Sequence, residues 1–127
     1  PCVWTDGLER MRVPVRHGEG KFVVPDAELL QRYFEQQQVV CRYVDPSTRY
    51  PSAADEPVPY PLCPNASMRN IAGVCDPTGR VFGLMPHPEA NHSTWLGATW
   101  TREDIEHGEG EGMAIFHNAV AFARENL

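Results

Sequence analysis

The sequence predicts a domain of the α/β or α+β class, because segments with the pattern of strands and segments with the pattern of helices alternate along the chain. A β-branched and aromatic run at 39–44 is typical of a strand. Two further apolar runs, at 70–74 and 81–85, are joined by a turn and predict a β-hairpin. The segment 110–126 has the apolar spacing of a helix. With 127 residues and 42% hydrophobic content, the chain is long enough to bury one core of ordinary size.

The N-terminal third is predicted to contain two short strands and a helix. Residues 12–16 alternate polar and apolar side chains around Pro14, as an edge strand does. Phe22-Val23-Val24 has the composition of a second strand. Asp26 suits the N-cap of a helix. The residues that follow at helical spacing predict one buried face: Leu29, Leu30, Tyr33 and Phe34.

Proline and glycine define the connections in the middle of the chain. Six of the twelve prolines lie between Asp45 and Pro64, and each lacks the backbone N–H that a strand or helix needs. We therefore expect a long surface loop there. Asp76-Pro77-Thr78-Gly79 places proline and glycine where a tight turn requires them, so the flanking strands are expected to pair in antiparallel fashion.

The C-terminal helix is predicted to bury a stripe of apolar residues. Its members are Met113, Phe116, Ala119, Val120 and Ala123. In the loop before this helix, Trp95 and Trp100 are expected to pack onto their own domain. The tetrapeptide His-Gly-Glu-Gly occurs at 17–20 and again at 107–110, and we interpret the second copy as coincidence.

Composition argues against several classes of function. A formal net charge of −6 without a dense run of Lys and Arg argues against nucleic-acid binding. No apolar run reaches the roughly 18 residues that a membrane span needs, and no secretory signal is present, so a cytoplasmic location is expected. The four cysteines form no CxxC pair and are expected to be free thiols. The five histidines lack the spacing of zinc ligands, so we expect neither a metal site nor a cofactor.

Pro86-His87-Pro88-Glu89 is the clearest candidate for chemistry. The proline at 88 disfavours a helical conformation for His87, and side chains two residues apart on an extended chain point the same way. Glu89 can then accept a hydrogen bond from the imidazole Nδ1, which leaves Nε2 able to take a proton from a nucleophile. An exposed turn without function has the same spacing, so the motif alone leaves both interpretations open.

Four motifs occur in a fixed order along the chain. They are Arg16-His17-Gly18-Glu19-Gly20, Arg42-Tyr43-Val44-Asp45, Pro64-Asn65-Ala66-Ser67, and Asn70-Ile71-Ala72-Gly73-Val74 with the hairpin that leads to Gly83-Leu84-Met85-Pro86-His87-Pro88-Glu89. Together they resemble the glutaminase part of phosphoribosylformylglycinamidine synthase, a class I glutamine amidotransferase. The resemblance extends over most of the chain, from Trp4 to Leu127. The family usually has glycine where Ala66 stands and arginine where Ala90 stands.

The resemblance implies a flavodoxin-like α/β fold with a mixed sheet, of which residues 1–127 would be the C-terminal half of the domain. It also implies hydrolysis of glutamine by a Cys-His-Glu triad, with the ammonia used to make formylglycinamidine ribonucleotide in purine biosynthesis. His87 would be the general base and Glu89 its orienting carboxylate. His17, Gly18 and Glu19 would bind the α-amino and α-carboxylate groups of glutamine, although a tight turn with an exposed glutamate is the alternative.

The nucleophile of this family lies on a glycine-rich strand-to-helix elbow in the first half of the domain. None of the four cysteines has that context, so the nucleophile-bearing half is expected outside this chain, and the isolated chain is expected to be inactive. The expected partners are glutamine, the missing N-terminal half, and a synthetase subunit or domain. An interrupted sheet also predicts self-association of the chain, as a dimer or larger assembly. Two alternatives remain: a non-catalytic interaction module with this fold, and the glutaminase of another synthetase.

Overall fold

The computed structural model describes residues 2–18, 20–48 and 56–126. Within these ranges the α-helices and strands are α1 (Ala27–Glu35), β1 (Val39–Arg42), β2 (Ile71–Cys75), β3 (Phe82–Leu84) and α2 (Met113–Asn126). The same residues include short 3-10 helices at Val3–Thr5, Met68–Asn70, Pro88–Asn91 and Thr94–Leu96. Interleaved strands and helices confirm the predicted α/β class.

The chain forms two compact units. The first contains residues 17–85, and the second contains residues 2–16 together with the chain from Pro86 onward. The first unit therefore holds α1 and the whole sheet, and the second holds α2. Among the described residues, no helix combines the length and apolar character needed to cross a membrane.

The sheet of the first unit has the strand order β1-β2-β3. Arg42 lies opposite Ile71, and Gly73 lies opposite Leu84, so both pairings are antiparallel. A mixed sheet was expected, but the pairs within the described ranges are antiparallel only. The short connection explains the pairing of β2 with β3. Neighbouring parallel strands need a crossover of a dozen or more residues, whereas these two strands are joined by a tight turn.

The predicted hairpin is confirmed, and Asp76 organises its turn. Gly79 donates its N–H to the Asp76 carbonyl at 3.0 Å. The Asp76 carboxylate accepts from the N–H groups of Val81 at 2.9 Å and Arg80 at 3.0 Å, and from the Thr78 hydroxyl at 2.7 Å. Hydrogen bonds from the Val81 N–H and then from the Thr78 hydroxyl lower the pKa of Asp76 to about 2. The ionised carboxylate therefore stabilises the β2–β3 turn.

Helix α1 begins where the sequence predicts. The Asp26 carboxylate accepts from the N–H of Glu28 at 2.8 Å, as an N-cap does. Leu30 is buried against Val24 and Ile71, and the latter side chain is fully buried. The other predicted face residues pack around this core: Leu29, Tyr33 and Phe34.

The two N-terminal strands were predicted wrongly, because residues 12–16 and 22–24 belong to no strand or sheet. Phe22 donates its N–H to the Ser67 hydroxyl at 2.9 Å, and Val24 donates to the Met68 sulfur at 3.2 Å. Side-chain acceptors thus replace the ladder partners that a strand would use. In the proline-rich loop, residues 45–48 and 56–64 form no strand or helix, as expected, and residues 49–55 lie outside the described ranges.

Helix α2 of the second unit half-buries four residues of the predicted stripe, Met113, Phe116, Ala119 and Ala123, and differs from the prediction at two positions. Ile115 is its buried residue, whereas Val120 is 49% exposed. The helix packs against the 3-10 helix Val3–Thr5, and the Asn118 amide donates to the carbonyls of Trp4 at 3.2 Å and Asp6 at 2.8 Å. With these contacts in place, Val120 lies on the exposed side of the helix. Trp95 and Trp100, expected to be packed, are 53% and 47% exposed.

Candidate functional site

The His87 imidazole and the Glu89 carboxylate are in contact. Nδ1 of His87 lies 2.7 Å from Oε1 of Glu89, the distance of a charge-assisted hydrogen bond. The backbone of His87 has φ −111° and ψ 88°, outside the helical region, as expected for a residue before proline. The side-chain contact that the sequence predicted is therefore present.

The backbone after His87 differs from the extended chain that was expected. Pro88 begins a 3-10 helix that extends to Asn91, and Ala90 donates its N–H to the His87 carbonyl at 3.1 Å. Proline favours the first helical position because its fixed φ suits the turn and its missing N–H is not needed there. Glu89 consequently sits in the first turn, and its carboxylate reaches back to the imidazole.

The environment of Glu89 keeps its carboxyl group ionised. The hydrogen bond with His87 is the main cause that lowers the pKa of Glu89, and the charge of Arg16 adds to it. An ionised carboxylate on Nδ1 favours the tautomer with the proton on that nitrogen, so Nε2 is the atom that can accept a proton. The two side chains are 38% and 61% exposed, so the pair is accessible to a reacting group.

Backbone contacts within the second unit fix the position of the pair. The N–H of His87 donates to the Pro14 carbonyl at 2.8 Å, and the Asn91 amide donates to the Arg12 carbonyl at 2.7 Å. The segment 12–16, predicted as an edge strand, thus supports the 3-10 helix.

Gly112 is a residue of this site that the sequence analysis missed. Its N–H donates to the Asn91 carbonyl at 3.1 Å. A Cβ at this position would lie 2.0 Å from the Pro88 carbonyl oxygen, so the chain before α2 approaches the 3-10 helix as closely as glycine permits. The glycine-rich run from Gly108 to Gly112 is the feature that could have indicated such a close approach.

A second polar group lies in the first unit, around His17. Its Nε2 is 2.9 Å from Nδ2 of Asn65, which also donates to the Gly20 carbonyl and, at 3.1 Å, to the Tyr43 hydroxyl. Oδ1 of Asn65 accepts from the Ser67 N–H at 3.1 Å and from the Ser67 hydroxyl at 2.8 Å. We call these five residues the Asn65 cluster. It joins three of the four sequence motifs.

An open pocket of about 310 Å³ borders this cluster. Its lining residues are His17, Gly18, Gly20, Lys21, Pro64 and Asn65. A Cβ at Gly20 would lie 2.4 Å from the His17 ring, so the Gly20 backbone packs directly against the imidazole. Gly18 is exposed, and Glu19 lies outside the described residues. Two of the three predicted substrate-binding residues thus line one pocket.

The four cysteines, all within the described residues, form no disulfide. Cys2, Cys63 and Cys75 are buried, and Cys41 is half-buried in β1. Across the described ranges, no three His, Cys, Asp or Glu side chains form a group that could hold a metal ion.

The sequence of this chain is similar to that of a known protein family. A family model described as the CobB/CobQ-like glutamine amidotransferase domain matches residues 1–123. Among the similar proteins, the phosphoribosylformylglycinamidine synthase subunit PurQ of Dehalococcoides mccartyi is 37% identical over 98% of this chain and 44% of its own length. The subunits of the same name from Methanococcus maripaludis and Archaeoglobus fulgidus are 46% and 38% identical over 95% of this chain.

The chain spans less than half the length of each of these relatives, with 46% of the M. maripaludis protein and 42% of the A. fulgidus protein covered. The resemblance noted in the sequence is nevertheless confirmed, since the family match extends over nearly the whole chain. The chain belongs to the CobB/CobQ-like glutamine amidotransferase domain family.

Proposed function

We propose that this chain supplies the base and its orienting acid to a glutaminase that hydrolyses glutamine to glutamate and ammonia. The 2.7 Å contact between His87 and Glu89, in a member of an amidotransferase family, is the observation that carries the proposal. The ammonia would be used to form formylglycinamidine ribonucleotide, because the similar proteins are named as subunits of the synthase that makes it. The enzyme is then a phosphoribosylformylglycinamidine synthase.

In this mechanism His87 moves protons and Glu89 orients it. Nε2 of His87 takes the proton of a cysteine thiol, and the thiolate attacks the side-chain amide carbon of glutamine. His87 then gives that proton to the departing nitrogen, which leaves as ammonia while a thioester remains. A water molecule that loses a proton to His87 hydrolyses the thioester, releases glutamate and restores the thiol. Glu89 stabilises the imidazolium at each stage.

We further propose that residues 1–127 are the C-terminal half of the glutaminase domain and that the nucleophile belongs to another segment. Three of the cysteines are buried and Cys41 lies within a strand, which supports structural roles for all four. The isolated chain would then be inactive, because the nucleophile and the groups that stabilise the oxyanion supply most of the rate.

The pocket beside the Asn65 cluster is our candidate for the site that holds the α-amino and α-carboxylate groups of glutamine. Lys21 lines the pocket and carries the positive charge that a carboxylate requires. His17 and Gly18 would shape the site, and Glu19 would receive the ammonium group.

The proposed partners are the N-terminal half of the domain and a synthetase subunit or domain that consumes the ammonia. In the isolated chain, we propose self-association through the sheet, because β1 and β3 each pair with only one strand among the described residues. Light scattering would then show an assembly larger than the monomer, and a clean monomer at high concentration would exclude this part of the proposal.

The test of the function is nitrogen incorporation by the full-length gene product with two nitrogen sources. Assayed together with its synthetase partner, wild-type protein is expected to make formylglycinamidine ribonucleotide with glutamine or with ammonium, and the His87→Ala variant only with ammonium. His117→Ala is the matched control, because His117 is also exposed and also contacts a glutamate, Glu109, at 2.8 Å. Absence of ammonia release from wild-type protein would favour a non-catalytic module. Ammonia release without that product would indicate another synthetase.

A further inference from the structure

The orientation of the Asn65 side-chain amide is fixed by two groups that each have one hydrogen-bonding role. The Ser67 N–H can only donate, and it faces Oδ1 of Asn65 at 3.1 Å. The Gly20 carbonyl can only accept, and it faces Nδ2. Rotating the amide by half a turn would place oxygen against oxygen and N–H against N–H. Nδ2 therefore points toward Gly20 and His17.

This orientation determines the tautomer of His17. The two hydrogens of Asn65 Nδ2 are shared among three neighbours, and Nδ2 has no lone pair with which to accept. A proton on Nε2 of His17, 2.9 Å away, would therefore be repelled, which favours the tautomer with the proton on Nδ1. Burial raises the pKa of Tyr43, the third neighbour of Nδ2, and keeps its hydroxyl neutral and able to accept. The neutral form of this imidazole therefore has one favoured tautomer in the cluster.

The other ring nitrogen of His17 is buried. Nδ1 of His17 is inaccessible to solvent and makes no hydrogen bond with the described residues. An unsatisfied buried donor lowers stability, so its presence in a folded protein requires an explanation, of which a role in function is one. His17 and Asn65 also line the pocket, and the Gly20 backbone packs against the His17 ring.

We propose that Asn65 is a positioning residue for this pocket. Its amide holds His17 as the Nδ1–H tautomer and anchors the Gly20 carbonyl, so that the His17 ring and the Gly20 backbone keep their positions when glutamine binds. The inference rests on the proposed function for the identity of the substrate, but its geometric part concerns the chain alone. Asn65 makes no bond to the reacting atoms and acts through His17 and Gly20.

The tautomer is measured by two-dimensional ¹⁵N–¹H spectroscopy of the His17 ring in this chain, at a pH where the ring is neutral. Wild-type protein is expected to show the proton on Nδ1. In Asn65→Asp the carboxylate can only accept, so the proton is expected to move to Nε2. Asn118→Asp is the control, because the Asn118 amide also donates to two backbone carbonyls but contacts Trp4 and Asp6. It should leave the His17 tautomer unchanged.

Kinetics of the full-length gene product separate positioning from general stability. Asn65→Asp is expected to raise the KM for glutamine about tenfold, the effect of losing one or two hydrogen bonds, while kcat changes less. Asn118→Asp should change neither constant. An unaltered KM in folded Asn65→Asp, or wild-type protein with the proton on Nε2 of His17, would overturn the proposal. The wild-type spectrum decides the matter even if the variant does not fold, and it is independent of whether the enzyme releases ammonia.

Discussion

The imidazole of His87 and the carboxylate of Glu89 lie 2.7 Å apart across the start of a 3-10 helix. Pro88 separates them, keeps His87 out of the helical region and begins the turn that contains Glu89. The acid therefore reaches its base within a four-residue segment, 86–89. Backbone contacts from neighbouring segments must then hold this short segment in position.

Gly112 provides part of that support, and its replacement by alanine should destabilise the protein. The new Cβ would lie 2.0 Å from the Pro88 carbonyl oxygen, and backbone atoms cannot yield as a flexible side chain can. We expect the free energy of unfolding in urea to fall by about 1–3 kcal/mol, the usual range for overpacking. Gly108→Ala is the matched control, because its Cβ would meet only the Thr94 methyl at 3.9 Å. Equal losses in the two variants would show that the close approach is absent.

Ala66 occupies a backbone conformation that favours glycine, with φ at 51°. This left-handed region is costly for a residue with a Cβ, so Ala66→Gly should raise the free energy of unfolding by about 1 kcal/mol. Ala114→Gly in the first turn of α2 is the control and should lower it. Urea denaturation of both variants measures the difference. A loss of stability in Ala66→Gly would mean that residue 66 is not left-handed.

Asp76 should make stability depend on pH in acid. Its pKa is lowered from 3.8 to about 2 in the folded state, so the ionised carboxylate stabilises the fold above the unfolded value. That contribution is lost as the pH falls from about 3.8 through about 2. The difference in Tm between wild-type protein and Asp76→Ala should therefore shrink across this range. A difference that is constant from pH 5 to about pH 2 would be inconsistent with hydrogen bonds to an ionised Asp76.

Features encoded by neighbouring residues were predicted well from the sequence. The N-cap at Asp26, the 76–79 turn and the contact between His87 and Glu89 each depend on residues a few positions apart. Local backbone chemistry decides such features, so a single sequence is sufficient to predict them.

Features that depend on distant partners were not predicted. The segment 22–24 resembles a strand, yet its N–H groups bond with the side chains of Ser67 and Met68, which lie 45 and 44 residues away. The Asn65 cluster likewise joins residues from three motifs, and no motif alone indicates that Asn65 is their common contact. The burial of Ile115 in place of Val120 on α2 was missed for the same reason, because the helix packs against the distant 3-10 helix at Val3–Thr5.

A double-mutant cycle on His87 and Glu89 tests whether the two side chains act as one catalytic unit in the full-length gene product. Glu89→Ala alone is expected to lower kcat for ammonia release by about 10²- to 10⁴-fold, because the imidazole loses its orienting carboxylate. In the His87→Ala background the same change should have an effect of less than about threefold, since no base remains to be oriented. The cycle on His117 and Glu109 should leave kcat unchanged throughout. Independent, multiplying losses for His87 and Glu89, or full activity in His87→Ala, would contradict the proposed roles.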